Sequence, residues 1–229
     1  VDRGAIVANS TKLLLLPGLG ADARQFEPQR VAFPNLIAPS WIRPHSNETL
    51  PDYAGRMAET APRGERLVLG GSSFGGMVAW EMARHVRPKA VVLIGSCTGP
   101  EGIAPLLGGL RPLSAALSPA FVGMAKKAAP LAIRLFGPRE RAHREICLRM
   151  FRDADANWIR WGVRAILAWQ PSKPCPDVPV RHIHGARDRV LPVGRSAADR
   201  IISGGGHLIN MTHADEVNGL LRDVLAEFA

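Results

Sequence analysis

Short apolar runs alternate with amphipathic stretches through the first hundred residues. Lys12–Leu16 is a run of leucines stopped by Pro17-Gly18, and the stop makes it a strand rather than a helix. Ala23–Val31 then patterns as a short helix, Asn35–Trp41 as a strand and Thr49–Thr60 as a helix. Glu65–Gly71 and Ala90–Gly95 are continuous apolar runs of the kind buried on both faces, and Phe74–Val86 between them has helical spacing. Strands alternating with helices predict an α/β fold with a mostly parallel sheet and helices on both faces.

The alternation stops after Ser96. From Thr98 to about Gln170 the pattern is helical, broken by Pro and Gly, with no convincing strand. Within 139–152, Ile146, Cys147, Met150 and Phe151 share one helical face, and Arg141, Arg149 and Arg152 gather on the other. Pro171, Pro174, Pro176 and Pro179 form a stiff return linker. Val180–His184 resumes as a strand, Val193–Arg200 as a short helix and Arg200–Ser203 as a last strand. Thr212 is placed to cap the closing helix, with Asp215 in its first turn. The expected organisation is a core of residues 1–97 and 178–229, carrying a helical insertion, 98–177, after the fourth strand. An insertion of that length can form a lid.

Composition narrows the class. A chain of 229 residues with 46% hydrophobic and 21% charged residues suits one globular domain, and no run approaches the length of a membrane span. The first dozen residues are polar and weakly patterned, and read as a leader or an added segment. Three widely spaced cysteines without a C-x-x-C pair argue against a disulfide framework or zinc site. They favour a reducing compartment, so a cytoplasmic location is expected. The net charge of +9 is uneven, for between Lys126 and Arg164 ten basic residues face four acids. A solvated helical face explains such a run most simply. Nucleic-acid-binding motifs are missing, so an acidic protein or anionic substrate is the more economical partner.

The chemistry begins at Gly71-Ser72-Ser73-Phe74-Gly75, which fits G-x-S-x-G between an apolar strand and a helix. Glycine two places to either side lets the chain turn sharply enough to lift a serine above the sheet edge. Ser72 lacks a glycine two residues on, so Ser73 is the candidate nucleophile. Five residues alone would recur by chance as an ordinary glycine-rich turn. A serine hydroxyl also needs a base, and the base an orienting group. In a parallel sheet these belong at the carboxyl ends of strands. Asp188 follows the strand Val180–His184, and His207 follows Gly204-Gly205-Gly206 after the last strand. Asp188 could equally be a turn residue, and His207 a surface histidine. His213 and His184 compete as base, the latter more naturally a hydrogen-bonded structural residue, and Asp177 competes as acid. The order Ser73, Asp188, His207 is the one that accompanies a G-x-S-x-G elbow. Oxyanion donors are expected from the Phe74 N–H and from the loop after the first strand, with the Leu19 N–H as the second donor. Trp158, Trp161 and Trp169 could line an acyl pocket, but their spacing favours insertion core.

The segments LLLLPGLG, GGSSFGGMVAWEMA, HIHGARDRVLP and GGGH, in that order, resemble the α/β-hydrolase superfamily over nearly the whole chain. The type resembled is a small, lidded serine esterase. Pro17 stands where many relatives carry histidine, and the short N-terminus leaves little room for the first two strands usual in the family. Serine at the elbow argues against epoxide hydrolases and haloalkane dehalogenases, which use aspartate there. The resemblance implies hydrolysis of a small-molecule ester, with short to medium acyl chains, through Ser73, His207 and Asp188 and without cofactor or metal. A less specific resemblance is to methyl esterases of biotin synthesis, whose lid arginines dock an acidic acyl carrier protein. Thioesters, carbon–carbon bonds and acyl transfer remain open, as does a non-catalytic ligand-binding protein on the same fold.

Overall fold

The computed structural model describes residues 11–63, 66–105, 109, 118–138 and 140–229. Five strands form one parallel sheet in chain order: β1 (Lys12–Leu16), β2 (Leu67–Ser72), β3 (Ala90–Ile94), β4 (Val180–Gly185) and β5 (Arg200–Ile202). The α-helices among these residues are α1 (Glu27–Ala32), α2 (Leu50–Met57), α3 (Phe74–Val86), α4 (Pro119–Ala132), α5 (Arg141–Asp153), α6 (Ala156–Leu167), α7 (Ile209–Thr212) and α8 (Ala214–Glu227).

Alternation along β1 shows how the sheet divides the core. Leu14 and Leu16 pack with α2, α3 and α6, whereas Leu13 and Leu15 pack with Phe26 and with Val217, Leu220 and Leu221 of α8. Both sets are buried, which is why the run reads as continuously apolar. Crossovers of one hand place their helices on opposite faces when the chain steps in opposite directions. The chain steps outward from β1 through α1, touches the sheet edge at Ile37, and returns through α2 to β2. That reversal puts α1 and α2 on opposite faces.

Four sequence expectations need correction. Asn35–Trp41 is not a strand: it makes a single parallel bridge, Ile37 to Leu14, held by Ile37 N–H to Leu13 O (2.8 Å) and Leu15 N–H to Ile37 O (2.9 Å). Pro34 and Pro39 flank that bridge and remove the donors a longer ladder would need. The inserted helices therefore follow the third strand. Val193–Arg200 contains only a 3-10 turn, Val193–Arg195. Thr212 does not cap the last helix; it ends α7, its hydroxyl bonding Leu208 O, and His213 occupies the position before α8. From 98 to 170 the described residues hold helices and no strand. The polar N-terminal residues 1–10 lie outside the described residues.

Candidate active site

Ser73 sits between β2 and α3 with φ 53° and ψ −121°, a region that favours glycine and that costs a serine backbone strain. The turn is held from three sides. Ser73 N–H bonds Ile94 O (3.1 Å), the Ser96 hydroxyl bonds Ser73 O (2.6 Å), and Gly76 N–H bonds Ser73 O (2.9 Å). A Cβ on Gly75 would strike the Leu16 and Pro17 carbonyl oxygens, and one on Gly71 would strike the Gly75 backbone. Ser73 precedes the helix without capping it, so its hydroxyl is left for another partner.

That partner is His207. Its Nε2 lies 2.8 Å from Ser73 Oγ, and its Nδ1 lies 2.7 Å from Asp188 Oδ2. Asp188 is fixed in turn, because Oδ1 accepts from Val190 N–H (2.8 Å) and Leu191 N–H (2.9 Å). Burial opposes the Asp188 charge, but hydrogen bonds from His184 and His207 outweigh it and hold the carboxyl well below the usual carboxylate range. A carboxylate on Nδ1 leaves Nε2 free to take the serine proton, which is the tautomer general-base attack requires. His213 pairs with Thr212, and Asp177 is exposed in the return linker; neither joins this cluster.

Of the expected oxyanion donors, Phe74 opens α3 directly after Ser73, and Leu19 follows Gly18, where a Cβ would lie 3.7 Å from Ser73 Cβ. Among the described residues, neither the Leu19 nor the Phe74 N–H has a hydrogen-bond partner. The loop that carries Leu19 is anchored by a buried network absent from the sequence reading. Gln25 Oε1 accepts from Gly18 N–H (2.7 Å), and its Nε2 donates to Ser72 Oγ (2.9 Å). Asn210 Nδ2 donates to Gln25 O (2.8 Å), tying the same network to the chain just after His207. Gln25, Ser72 and Asn210 are almost fully buried. Polar residues in an otherwise apolar helical pattern were the available signal, but only tertiary structure names their partners.

The inserted helices complete the surroundings. Phe136, in the 3-10 turn Ile133–Phe136, accepts from His207 N–H (3.1 Å) and Leu208 N–H (3.3 Å), and its ring meets the imidazole at 5.6 Å. Phe151 of α5 packs so closely on Gly20 (φ 74°) that a Cβ there would lie 2.6 Å from the ring. Trp158 and Trp169 are buried, and Trp161 packs against the same cluster, as the core reading expects. Their ring N–H groups bond Tyr53 Oη (3.3 Å), Glu81 Oε1 (2.7 Å) and Glu48 O (3.0 Å) respectively. All three also line a cleft of about 1350 Å³ between residues 41–51 and α6, to which none of the triad contributes. Phe74 meets Trp158 and Trp161 edge-on beneath it. Among the described residues, no group of three or more His, Cys, Asp or Glu is placed to hold a metal, and no helix is long and apolar enough to cross a membrane.

Known proteins share this architecture. The structure superposes on a thermophilic esterase from Thermogutta terrifontis with a TM-score of 0.72, at 19% identity, covering 95% of this chain and 90% of that one. An enol-lactonase from Burkholderia xenovorans LB400 matches with a TM-score of 0.72, at 19% identity, over 97% of this chain and 94% of the other. At such identity the likeness is one of fold. A Synechocystis protein described as a non-heme chloroperoxidase is 47% identical over 62 residues, 23% of this chain and 22% of its own length, so the match spans about a fifth of that relative. The alpha/beta hydrolase family model matches residues 13–220, nearly the whole chain. With a five-stranded parallel sheet, a strained serine elbow and that match in hand, the chain belongs to the alpha/beta hydrolase family.

Proposed function

We propose that this hydrolase cleaves carboxylic esters through an acyl-enzyme. The observation that carries the reading is the continuous hydrogen-bonded line from Ser73 Oγ to His207 (2.8 Å) and from His207 to Asp188 (2.7 Å). His207 Nε2 takes the hydroxyl proton as Ser73 Oγ attacks the ester carbonyl carbon. The carbonyl oxygen becomes an oxyanion, which the free N–H groups of Phe74 and Leu19 meet at the start of α3 and in the loop after β1. Asp188 holds the imidazolium formed at His207 and keeps its ring oriented. Collapse of the tetrahedral adduct expels the alcohol, protonated from His207 Nε2, and leaves the acyl group on Ser73. Water then loses its proton to His207 as its oxygen adds to the acyl carbon, and collapse breaks the bond to Ser73 Oγ, which takes the proton back from His207 as the carboxylic acid leaves. The esterase and lactonase named above support an acyl substrate by likeness of fold alone.

The test is hydrolysis of a p-nitrophenyl acyl ester series by the wild type and Ser73→Ala, with fluorophosphonate labelling of both. Turnover and labelling that vanish together in the variant are the expected result. Equal inactivity of both proteins and no label would sink the reading in favour of a non-catalytic role.

A second reading concerns the substrate's carrier. The outer face of α5 exposes Arg141, Arg149 and Arg152, while its inner face rests on Gly20 of the loop that carries Leu19. An acidic acyl carrier docked there would deliver its chain close to Ser73. Turnover of a carrier-bound ester should then fall steeply as salt rises, because exposed charges are screened. Salt-independent turnover would remove this reading and leave the esterase intact.

A further inference from the structure

His184 is a buried group on the triad carboxylate that the mechanism above does not use. Its Nε2 lies 3.2 Å from Asp188 Oδ2 and 2.7 Å from Leu191 O, and its Nδ1 lies 2.9 Å from His182 Nε2. Along β4 the side chains alternate, so His182 and His184 share one face while Ile183 packs into the core on the other. We propose that His184 is a positioning residue that shares Asp188 Oδ2 with His207 and so moderates the pull of that carboxylate on the catalytic imidazole. This rests on the hydrolase reading.

The donor assignment follows from the partners. A carboxylate and a peptide carbonyl only accept, so His184 Nε2 carries a proton, and a second proton lies in the contact between its Nδ1 and His182 Nε2. Asp188 then receives three direct hydrogen bonds, two from backbone N–H groups on Oδ1 and one from His207 on Oδ2, while the His184 Nε2–H, which bonds Leu191 O at 2.7 Å, stands 3.2 Å from Oδ2 as a second, weaker donor. Each donor stabilises the carboxylate and leaves less of its charge to stabilise the His207 imidazolium. The shorter contact belongs to His207 and the longer to His184, so the second imidazole moderates the first without displacing it.

Other charged groups stand farther back. His182 is held neutral, its imidazole pushed down to about 4 by burial and by neighbouring His184. Its own backbone N–H bonds Asp199 Oδ2 (2.6 Å). Cys97, on the loop after β3, has its thiol pushed up to about 12 by burial. Beyond His182 a cavity of about 250 Å³ is lined by Glu101 and Arg195. Among the described residues, none of these bonds both imidazoles, as Asp188 does.

A purely structural role is the rival: through Leu191 O, His184 could merely pin the loop to the strand. Nitrogen-15 NMR of histidine-labelled wild type and of two variants separates the two. His184→Gln keeps a donor near the Nε2 position, and His184→Asn loses it while retaining a polar group toward His182. The expected wild-type spectrum has His184 protonated at Nε2. The His207 titration midpoint should rise by about half a unit in His184→Asn, since a carboxylate relieved of one donor favours the imidazolium more, and should stay put in His184→Gln. The acid limb of kcat/KM for p-nitrophenyl acetate should move with it, with kcat lowered about tenfold and KM within about twofold. An unmoved midpoint in His184→Asn overturns the proposal whatever happens to kcat. A wild-type His184 protonated at Nδ1 instead overturns it even if His184→Asn does not fold. Absence of ester turnover in the wild type would strike the hydrolase reading, while the NMR titration would still decide the donor question.

Discussion

The two halves of the site are built by different physics. The elbow, residues 71–76, is fixed by backbone sterics: Ser73 at φ 53°, with glycines where a Cβ would strike a carbonyl oxygen. The acid–histidine half, from His184 to His207, is fixed by side-chain hydrogen bonds that reach across the chain. Asp188 is gripped by two backbone N–H groups and two imidazoles, and the His207 loop hangs on Phe136 O. Backbone sterics tolerate no compromise at the elbow, whereas a hydrogen-bonded network can lose a member and survive in weakened form. The contrast predicts where substitution is catastrophic and where it is graded.

The largest effect belongs to the elbow. Gly75→Ala forces a methyl into the Leu16 and Pro17 carbonyl oxygens, all of them backbone atoms of the central sheet edge. Relief requires moving β1 against α3, and the cost should exceed about 4 kcal/mol. A thermal melt by circular dichroism should show an unfolded or grossly destabilised protein. A variant that melts with the wild type would mean that the elbow is not the rigid element described here.

The acid–histidine half should respond to pH instead. His182 is neutral in the fold with a pKa near 4, against about 6.5 for an unfolded histidine. Between those values the unfolded chain binds a proton that the folded chain refuses, so stability falls as pH drops from about 6.5 to 4, by at most about 3 kcal/mol. Asp188 acts in a lower window, since its depressed pKa contributes stability that is lost only as pH falls below the ordinary carboxylate range. Urea midpoints at pH 7 and pH 4.5 measure the slope. It should be flatter in His182→Leu, and equal slopes would remove His182 as the cause.

This difference in physics also governs what the sequence could reveal. The elbow is a local rule written in five adjacent residues, and the leucine run before Pro17-Gly18 told of a buried strand for the same local reason. Asp188 and His207 were legible because strand ends confine them to one sheet edge. The spurious strand at Asn35–Trp41 arose because its apolar pattern continues through prolines that limit pairing to one bridge. Gln25, Asn210 and the Asp188 contact of His184 stayed hidden. Their meaning depends on partners as distant along the chain as Gln25 and Asn210, which no local pattern records.

A smaller effect tests whether the network really is graded. Gln25→Leu keeps most of the side-chain volume but leaves Gly18 N–H, Ser72 Oγ and Asn210 with fewer buried partners. The expected loss is about 2 kcal/mol of stability, together with a lower kcat because the Leu19 loop loses its anchor. Equilibrium unfolding and ester kinetics on one preparation measure both. A stability loss with unchanged kcat would show that the loop holds its position without Gln25.

The smallest expected effect reverses sign and returns to the elbow. Ser73 pays for its position with a left-handed φ that glycine adopts freely, a strain of about 1–3 kcal/mol. Ser73→Gly removes that strain and the hydroxyl together, and it adds roughly 0.5–1 kcal/mol of backbone entropy to the unfolded chain. The hydrogen bond to His207, which is only 2% exposed, is also lost, but Ser73→Ala loses the same bond. Against Ser73→Ala the balance favours Ser73→Gly by about 1 kcal/mol, so the glycine variant should unfold at the higher urea midpoint. Ser73→Ala, which keeps the Cβ and therefore the strain, should gain nothing by comparison. If Ser73→Gly is no more stable than Ser73→Ala, the backbone around the nucleophile is relaxed. The hydroxyl would then be held in place by its partners alone, as the acid–histidine half is.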